Sequence, residues 1–225
     1  MEELKQIVTN FQENEVSAYG NLPEKTQRFI SISVLTTLGT LKEIPAEVEQ
    51  ALKEKISPEE IAEAIIQCTP YIGYSKVMEA LEEAETEMIR QGVKLPLSSR
   101  NTTTDESRIE KGLAAQYTIF GKENIERNRE TAPPELRHIQ DYLSGYCFGD
   151  FYTRSGLDLQ TRELLTFCTL CTLGGCEPQL KAHIGGNLQV GNDRQTLISA
   201  VTWCLPNIGF PRTLNAIACI NEIAK

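Results

Sequence analysis

The sequence predicts an all-α fold made of two related helical modules in tandem, and three observations carry that expectation. Slid against itself by 136 residues, the chain aligns without a gap. Thr36, Gly39, Ala46, Leu52, Ala64, Cys68, Pro70, Ile72, Gly73 and Ala80 fall on Thr172, Gly175, Ala182, Leu188, Ala200, Cys204, Pro206, Ile208, Gly209 and Ala216. No segment alternates with the period of two expected of a strand, whereas apolar residues recur at helical spacing. The two copies also share the glycines and prolines that end or turn helices.

The elements follow in order. Leu4, Ile7, Val8 and Phe11 stand at helical spacing in a polar lead-in helix over residues 1–20. A helix from about Glu24 runs to Gly39, a residue suited to a left-handed C-terminal position. A second covers roughly Ala46–Lys55. The third opens on Ser57-Pro58-Glu59-Glu60, a capping box with proline at the first helical position, and runs to Pro70. After the Tyr71-Ile72-Gly73 break, a fourth extends from Ser75 to about Arg90.

Residues 91–108 are polar and carry little periodicity, which marks them as a module boundary. The expected division is residues 1–97, a degenerate N-terminal module, and residues 98–225, the module that carries the site. Within the latter, a helix is expected near Ile109–Ala115. After a polar stretch, another follows Ala132-Pro133-Pro134, with Leu136, Ile139, Tyr142 and Leu143 on one side. Arg162–Leu173 is apolar nearly all round and reads as a buried helix ended by Gly174-Gly175. Cys176-Glu177-Pro178 opens the next, with Leu180, Ile184 and Leu188 facing inward. Asp193 caps a helix that leads to Pro206, and the Asn207-Ile208-Gly209 turn precedes a closing helix over Pro211–Ala224.

Composition narrows the function classes. A net charge of −9 and no run of Lys or Arg argue against nucleic acid or an anionic membrane as partner. No stretch has the roughly 18 apolar residues of a membrane span. The start, MEELKQIVTN, lacks the layout of a secretory leader. Seven cysteines without scaffold spacing predict unpaired thiols in a cytoplasmic protein. With two histidines far apart and no ligand pair at zinc spacing, no metal is expected. No phosphate-cradling glycine loop follows a strand, and no cofactor is expected.

The copies differ where chemistry would sit: Thr40 faces Cys176, Glu43 faces Gln179, and Glu47 faces His183. The first module therefore reads as scaffold and the second as the reactive half. The second module resembles the carboxymuconolactone decarboxylase family, which includes the alkylhydroperoxidase D-like proteins. The resemblance rests on FGDFYTR (148–154), TRELLTF (161–167), GGCEPQLKAH (174–183) and LPNIGFPRTLNA (205–216). It covers residues 145–222 well and residues 22–85 more weakly, through the repeat.

That resemblance implies helical modules associating into rings of six, hence a homotrimer for a two-module chain. It also implies one of two chemistries: decarboxylation of a lactone acid, or peroxide reduction by a Cys-x-x-Cys pair followed by histidine. Here Cys176 and His183 are present but Gln179 replaces the second cysteine, which departs from the disulfide cycle. The family's acidic residue maps onto Glu163.

From the residues themselves, Cys176 at a helix N-terminus is expected to favour a thiolate, opposed by the neighbouring Glu177. His183 lies two turns further on, about 10 Å along the axis. Glu163, from the preceding helix, can orient the imidazole or shuttle a proton. Cys168 and Cys171 sit mid-helix on an apolar segment and read as core, with Cys171 the one candidate to resolve an oxidised Cys176.

The leading expectation is thus thiol-dependent, peroxiredoxin-type peroxide reduction through Cys176 with His183 and Glu163, drawing on a thiol reductant. The alternative is proton transfer or decarboxylation on a small carboxylated compound, with Arg154, Arg162 or Arg212 holding carboxylates. A third reading is a non-catalytic binding or assembly protein.

Overall fold

A computed structural model describes residues 1–225 as helices joined by short connections, with no strand. The first module contains α1 (Glu2–Phe11), α2 (Glu24–Leu38), α3 (Ile44–Lys53), α4 (Pro58–Ile66), α5 (Thr69–Ile72) and α6 (Tyr74–Arg90). After an irregular stretch come α7 (Arg108–Phe120), α8 (Lys122–Glu130) and α9 (Arg137–Tyr142). The last of these continues as a π-helix over Leu143–Tyr152. The chain closes with α10 (Leu159–Leu173), α11 (Glu177–Gln189) and α12 (Arg194–Ile223).

Local signals account for most of the helix ends. Ser57 and Glu60 form the reciprocal capping box at the start of α4. Asp158 and Asp193 accept hydrogen bonds from the Thr161 and Thr196 amides at the starts of α10 and α12. Gly39 ends α2 in the left-handed conformation, with φ 73°. The duplication extends to the backbone. Gly73 and Gly209 break their helices with nearly the same angles, φ 88° and ψ 159° against φ 76° and ψ 166°.

One hydrophobic core runs through both modules. It joins Phe29, Ile30, Ile32, Ile61, Ile65 and Met88 to Leu165, Phe167, Ile184, Leu197 and Ile220, all essentially inaccessible to solvent. At about 1.5–3 kcal/mol for each large apolar side chain fully buried, the shared core binds the two copies together. The helices α2 and α10, equivalent in the repeat, pack against each other at its centre.

Two local expectations are corrected. The helix near Ile109–Ala115 runs on to Phe120, and the polar stretch after it forms α8, because Gly121 breaks the chain without ending its helical course. Residues 146–152, YCFGDFY, on which the sequence carried no expectation, are helical with π geometry. Leu188 is 39% exposed, since α11 turns its final residues away from the core.

Candidate functional site

A cavity of about 500 Å³ lies where the modules meet the segment between them. Its walls are Tyr71 of α5, Gln116 and Phe120 of α7, Asn124, Ile125 and Asn128 of α8, and Ile139 and Tyr142 of α9. The π-helix adds Leu143, Tyr146, Cys147 and Phe148, α10 adds Leu170, and α11 adds Gln179, Ala182 and His183. The lining is mostly apolar with four side-chain amides, and it contains no lysine or arginine.

His183 and Glu163 are brought together as the sequence suggested. His183 Nδ1 and Glu163 Oε1 are 2.7 Å apart, with Glu163 fully buried and His183 8% exposed. Phe120 and Tyr71 meet the imidazole edge-on, at centroid distances of 5.3 and 5.8 Å, and restrict its rotation. Asn187 ties the two helices by donating to the carbonyl oxygens of Glu163 and His183. The close approach depends on Gly186, where a Cβ would stand 2.4 Å from Glu163 Oε1.

The second carboxylate oxygen has its own donor. The Tyr152 hydroxyl donates to Glu163 Oε2 at 2.9 Å. It also meets the Thr166 hydroxyl at 2.6 Å and the Tyr71 hydroxyl at 2.8 Å. Burial pushes both tyrosine pKa values well above the ordinary range, and for Tyr152 the Glu163 carboxylate adds to the shift. Both hydroxyls therefore keep their protons.

Cys176 is placed elsewhere. It caps α11 without a capping hydrogen bond and lines a separate crevice of about 10 Å³ with Cys171, Glu177 and Arg212. The expected thiolate is corrected: burial first, then Glu177 and Cys219, push the Cys176 pKa up. Its Sγ also donates to the Leu170 carbonyl oxygen, 3.4 Å away in the last turn of α10, a hydrogen bond that the protonated thiol makes and a thiolate cannot. The cysteine on the main cavity is Cys147, whose pKa burial pushes to about 12. Cys168 and Cys171 are buried, with pKa values driven well up by desolvation.

The arginine expectation is corrected as well. Arg162 is fully buried on Glu63 and Gln67, and Arg154 is bound to the same Glu63. Arg212 lies over Gly174 at the small crevice. None of the three lines the large cavity.

In the first module the positions equivalent to the second module's site carry ion pairs. Glu47, at the position of His183, is held by Arg28 Nη1 at 2.5 Å, and Arg28 also binds Glu54. Tyr71 and Pro70 of this module form part of the cavity wall.

The pattern of the Carboxymuconolactone decarboxylase family matches residues 2–86 and 137–222, together most of the chain. The chain belongs to the carboxymuconolactone decarboxylase family. It is also 26% identical to the 4-carboxymuconolactone decarboxylase of Acinetobacter baylyi over 121 residues, which are 54% of this chain and 90% of that protein.

Family membership explains two features. The first match begins in α1, and α1 with its π-turn (Gln12–Val16) is the counterpart of α9 with its π-helix, so the lead-in belongs to the repeat. The segment between the matches contains α7 and α8, which wall the cavity: this carboxymuconolactone decarboxylase family chain shapes its pocket with residues outside both repeats. No helix is long and apolar enough to cross a membrane.

Sequence reasoning missed Tyr71, Tyr152, Thr166 and Gln67. Their signal was available in the 136-residue register, where they face Asn207, Val16, Ile30 and Trp203.

The buried thiols predict an alkaline weakness. Cys68 and Cys147 are raised by burial from 9.0 to about 11 and about 12. Above pH 9 the unfolded chain loses these protons while the folded chain keeps them, so their contribution, complete below 9, is lost as pH rises. The urea midpoint should fall steadily between pH 9 and 11. A flat profile would refute the assignment.

Proposed function

We propose that this chain is a general acid–base enzyme in which His183, supported by Glu163, moves a proton on a small, largely apolar carbonyl or lactone-like compound. The observation that carries the reading is the 2.7 Å contact of His183 Nδ1 with Glu163 on the wall of the large cavity. With Nδ1 engaged, Nε2 has no protein partner and is the atom left to exchange a proton with an occupant. In the step, a proton leaves the carbon beside a carbonyl for Nε2, and the C–H electron pair moves into the enolate. Return of the proton completes turnover; where the compound instead bears a carboxylate on that carbon, carbon dioxide leaves in place of the proton, the C–C electron pair becomes the enolate, and a protonated Nε2 delivers the proton to carbon.

The cation-free lining favours substrates held by amide hydrogen bonds, from Gln116, Asn124, Asn128 and Gln179, over those needing an arginine clamp. Peroxide reduction through Cys176 has less support, since that thiol is raised in pKa and lies off the cavity. The homotrimer remains the assembly we propose. Leu4, Ile7 and Val8 on α1 and Ile139 and Tyr142 on α9 are 44–64% exposed and leave apolar faces for a neighbouring copy.

The test is deuterium exchange into a panel of cyclic ketones and lactones, followed by NMR in heavy water. The wild-type protein and Cys176→Ser should exchange at rates within about twofold, as for a change away from the reacting atoms. If Cys176→Ser abolishes turnover, or the protein consumes peroxide with a dithiol and exchanges nothing, the thiol reading replaces ours. If neither chemistry occurs, the chain is a binding protein.

A further inference from the structure

Glu163 stands at the end of a buried hydrogen-bond chain that begins on a permanent cation, and the direction of every link can be assigned. Arg162 only donates, and its Nη1 reaches Gln67 Oε1 at 2.8 Å. That places the Gln67 amide nitrogen on Thr166, where Nε2 donates to Oγ1 at 3.3 Å. Thr166 then gives its own proton to the Tyr152 oxygen at 2.6 Å, and Tyr152 gives its proton to Glu163 Oε2. With the Tyr152 proton spent, the Tyr71 hydroxyl at 2.8 Å is a donor too, and it accepts in turn from the Cys147 thiol at 3.8 Å. Arg162, Gln67, Thr166, Tyr152 and Glu163 are at most 3% exposed, so water does not compete for these links.

We propose that Gln67 and Tyr71, acting through Thr166 and Tyr152, are positioning residues that hold Glu163 as an acceptor and so fix His183 with its proton on Nδ1 and a bare Nε2. This deepens the acid–base reading and rests on it for its catalytic consequence. The mechanism is a choice between two proton placements. While Oε2 is supplied with a donor, the carboxylate accepts from Nδ1–H, and Nε2 carries the lone pair. Without that donor, the buried carboxyl takes up a proton from solvent and keeps it, its O–H donating a hydrogen bond to the Nδ1 lone pair, so the single imidazole hydrogen sits on Nε2 and the base is removed from the cavity.

The repeat supplies an independent argument. The counterparts of Gln67, Tyr71, Tyr152, Arg162, Glu163, Thr166 and His183 are Trp203, Asn207, Val16, Thr26, Gln27, Ile30 and Glu47. None is retained, although the helix-breaking glycines and the packing residues around them are. The chain of donors therefore exists once per molecule. Two of its members, Gln67 and Tyr71, come from the module that has no site of its own.

The imidazole nitrogens report the answer without any substrate. In protein labelled with 15N-histidine, a long-range proton–nitrogen spectrum should show His183 with Nδ1 protonated and Nε2 bare, and exposed His138 serves as internal control. Tyr152→Phe and Gln67→Leu should shift the ratio toward Nε2–H by about tenfold, the worth of one charge-assisted hydrogen bond. Thr166→Ser, which keeps the hydroxyl, should match the wild type, and Thr166→Val serves if either other variant does not fold. A wild-type ring protonated on Nε2, or an unchanged ratio in folded Tyr152→Phe and Gln67→Leu, overturns the relay. A wild-type protein with the expected tautomer but no exchange on any carbonyl compound would sink the acid–base reading and leave the relay standing.

Discussion

His183→Gln and Glu163→Gln are each expected to lower proton exchange by about 10²–10⁴-fold while the protein stays folded, the usual worth of a positioned proton-transfer group. The two losses have different origins. Glutamine at 183 removes the atom that receives the proton. Glutamine at 163 keeps the shape of the carboxylate but presents an amide to Nδ1, which no longer selects a bare Nε2, so its residual rate should be higher. Because the pair acts as a unit at 2.7 Å, the double variant should lose little more than His183→Gln alone. Rates for the three variants, with circular dichroism as the check on folding, decide it. Losses that add fully would mean that the two groups act separately.

The second large effect is on stability. Glu63 is 1% exposed and takes hydrogen bonds from the fully buried Arg162 at 2.8 Å and from Arg154 at 2.8 Å. Desolvation already pulls the Arg162 pKa down, opposed by Glu63. Removing the carboxylate leaves a guanidinium inside the protein with Gln67 and two backbone carbonyls. Glu63→Gln should therefore cost about 3–5 kcal/mol, the range for a buried pair broken from one side. Urea unfolding followed by the fluorescence of Trp203 measures it. Glu49→Gln, which loses only the exposed pair with Lys53, should leave the midpoint unchanged. A comparable effect at both positions would show that burial of the Glu63 pair carries no special weight.

Several of these features were legible before any coordinates. The all-helical class, the duplication and the helix ends follow from periodicity and from Ser57, Asp158, Gly39 and Gly73, because capping and backbone conformation are local properties. His183 and Glu163 were legible through the contrast between the copies and the family motifs. Cys176 shows where local reasoning stops. Its place before Glu177-Pro178 correctly predicts a helix N-terminus. The direction of its Sγ, toward the Leu170 carbonyl, depends on how α10 and α11 pack.

The sequence by itself determined the helical class, the repeat and the helices on which Glu163, Cys176 and His183 stand. Only the tertiary structure decided which of them share a cavity. Arg154 and Arg162 look like carboxylate clamps in a linear reading, yet Glu63, 91 and 99 positions away, takes both. Tyr71 looks like a turn residue, yet it reaches across the module boundary to Tyr152, 81 positions on. The physical reason is the same in each case. Helix signals act over one or two turns. Hydrogen-bond partners and desolvation are set by helices brought together through the shared core.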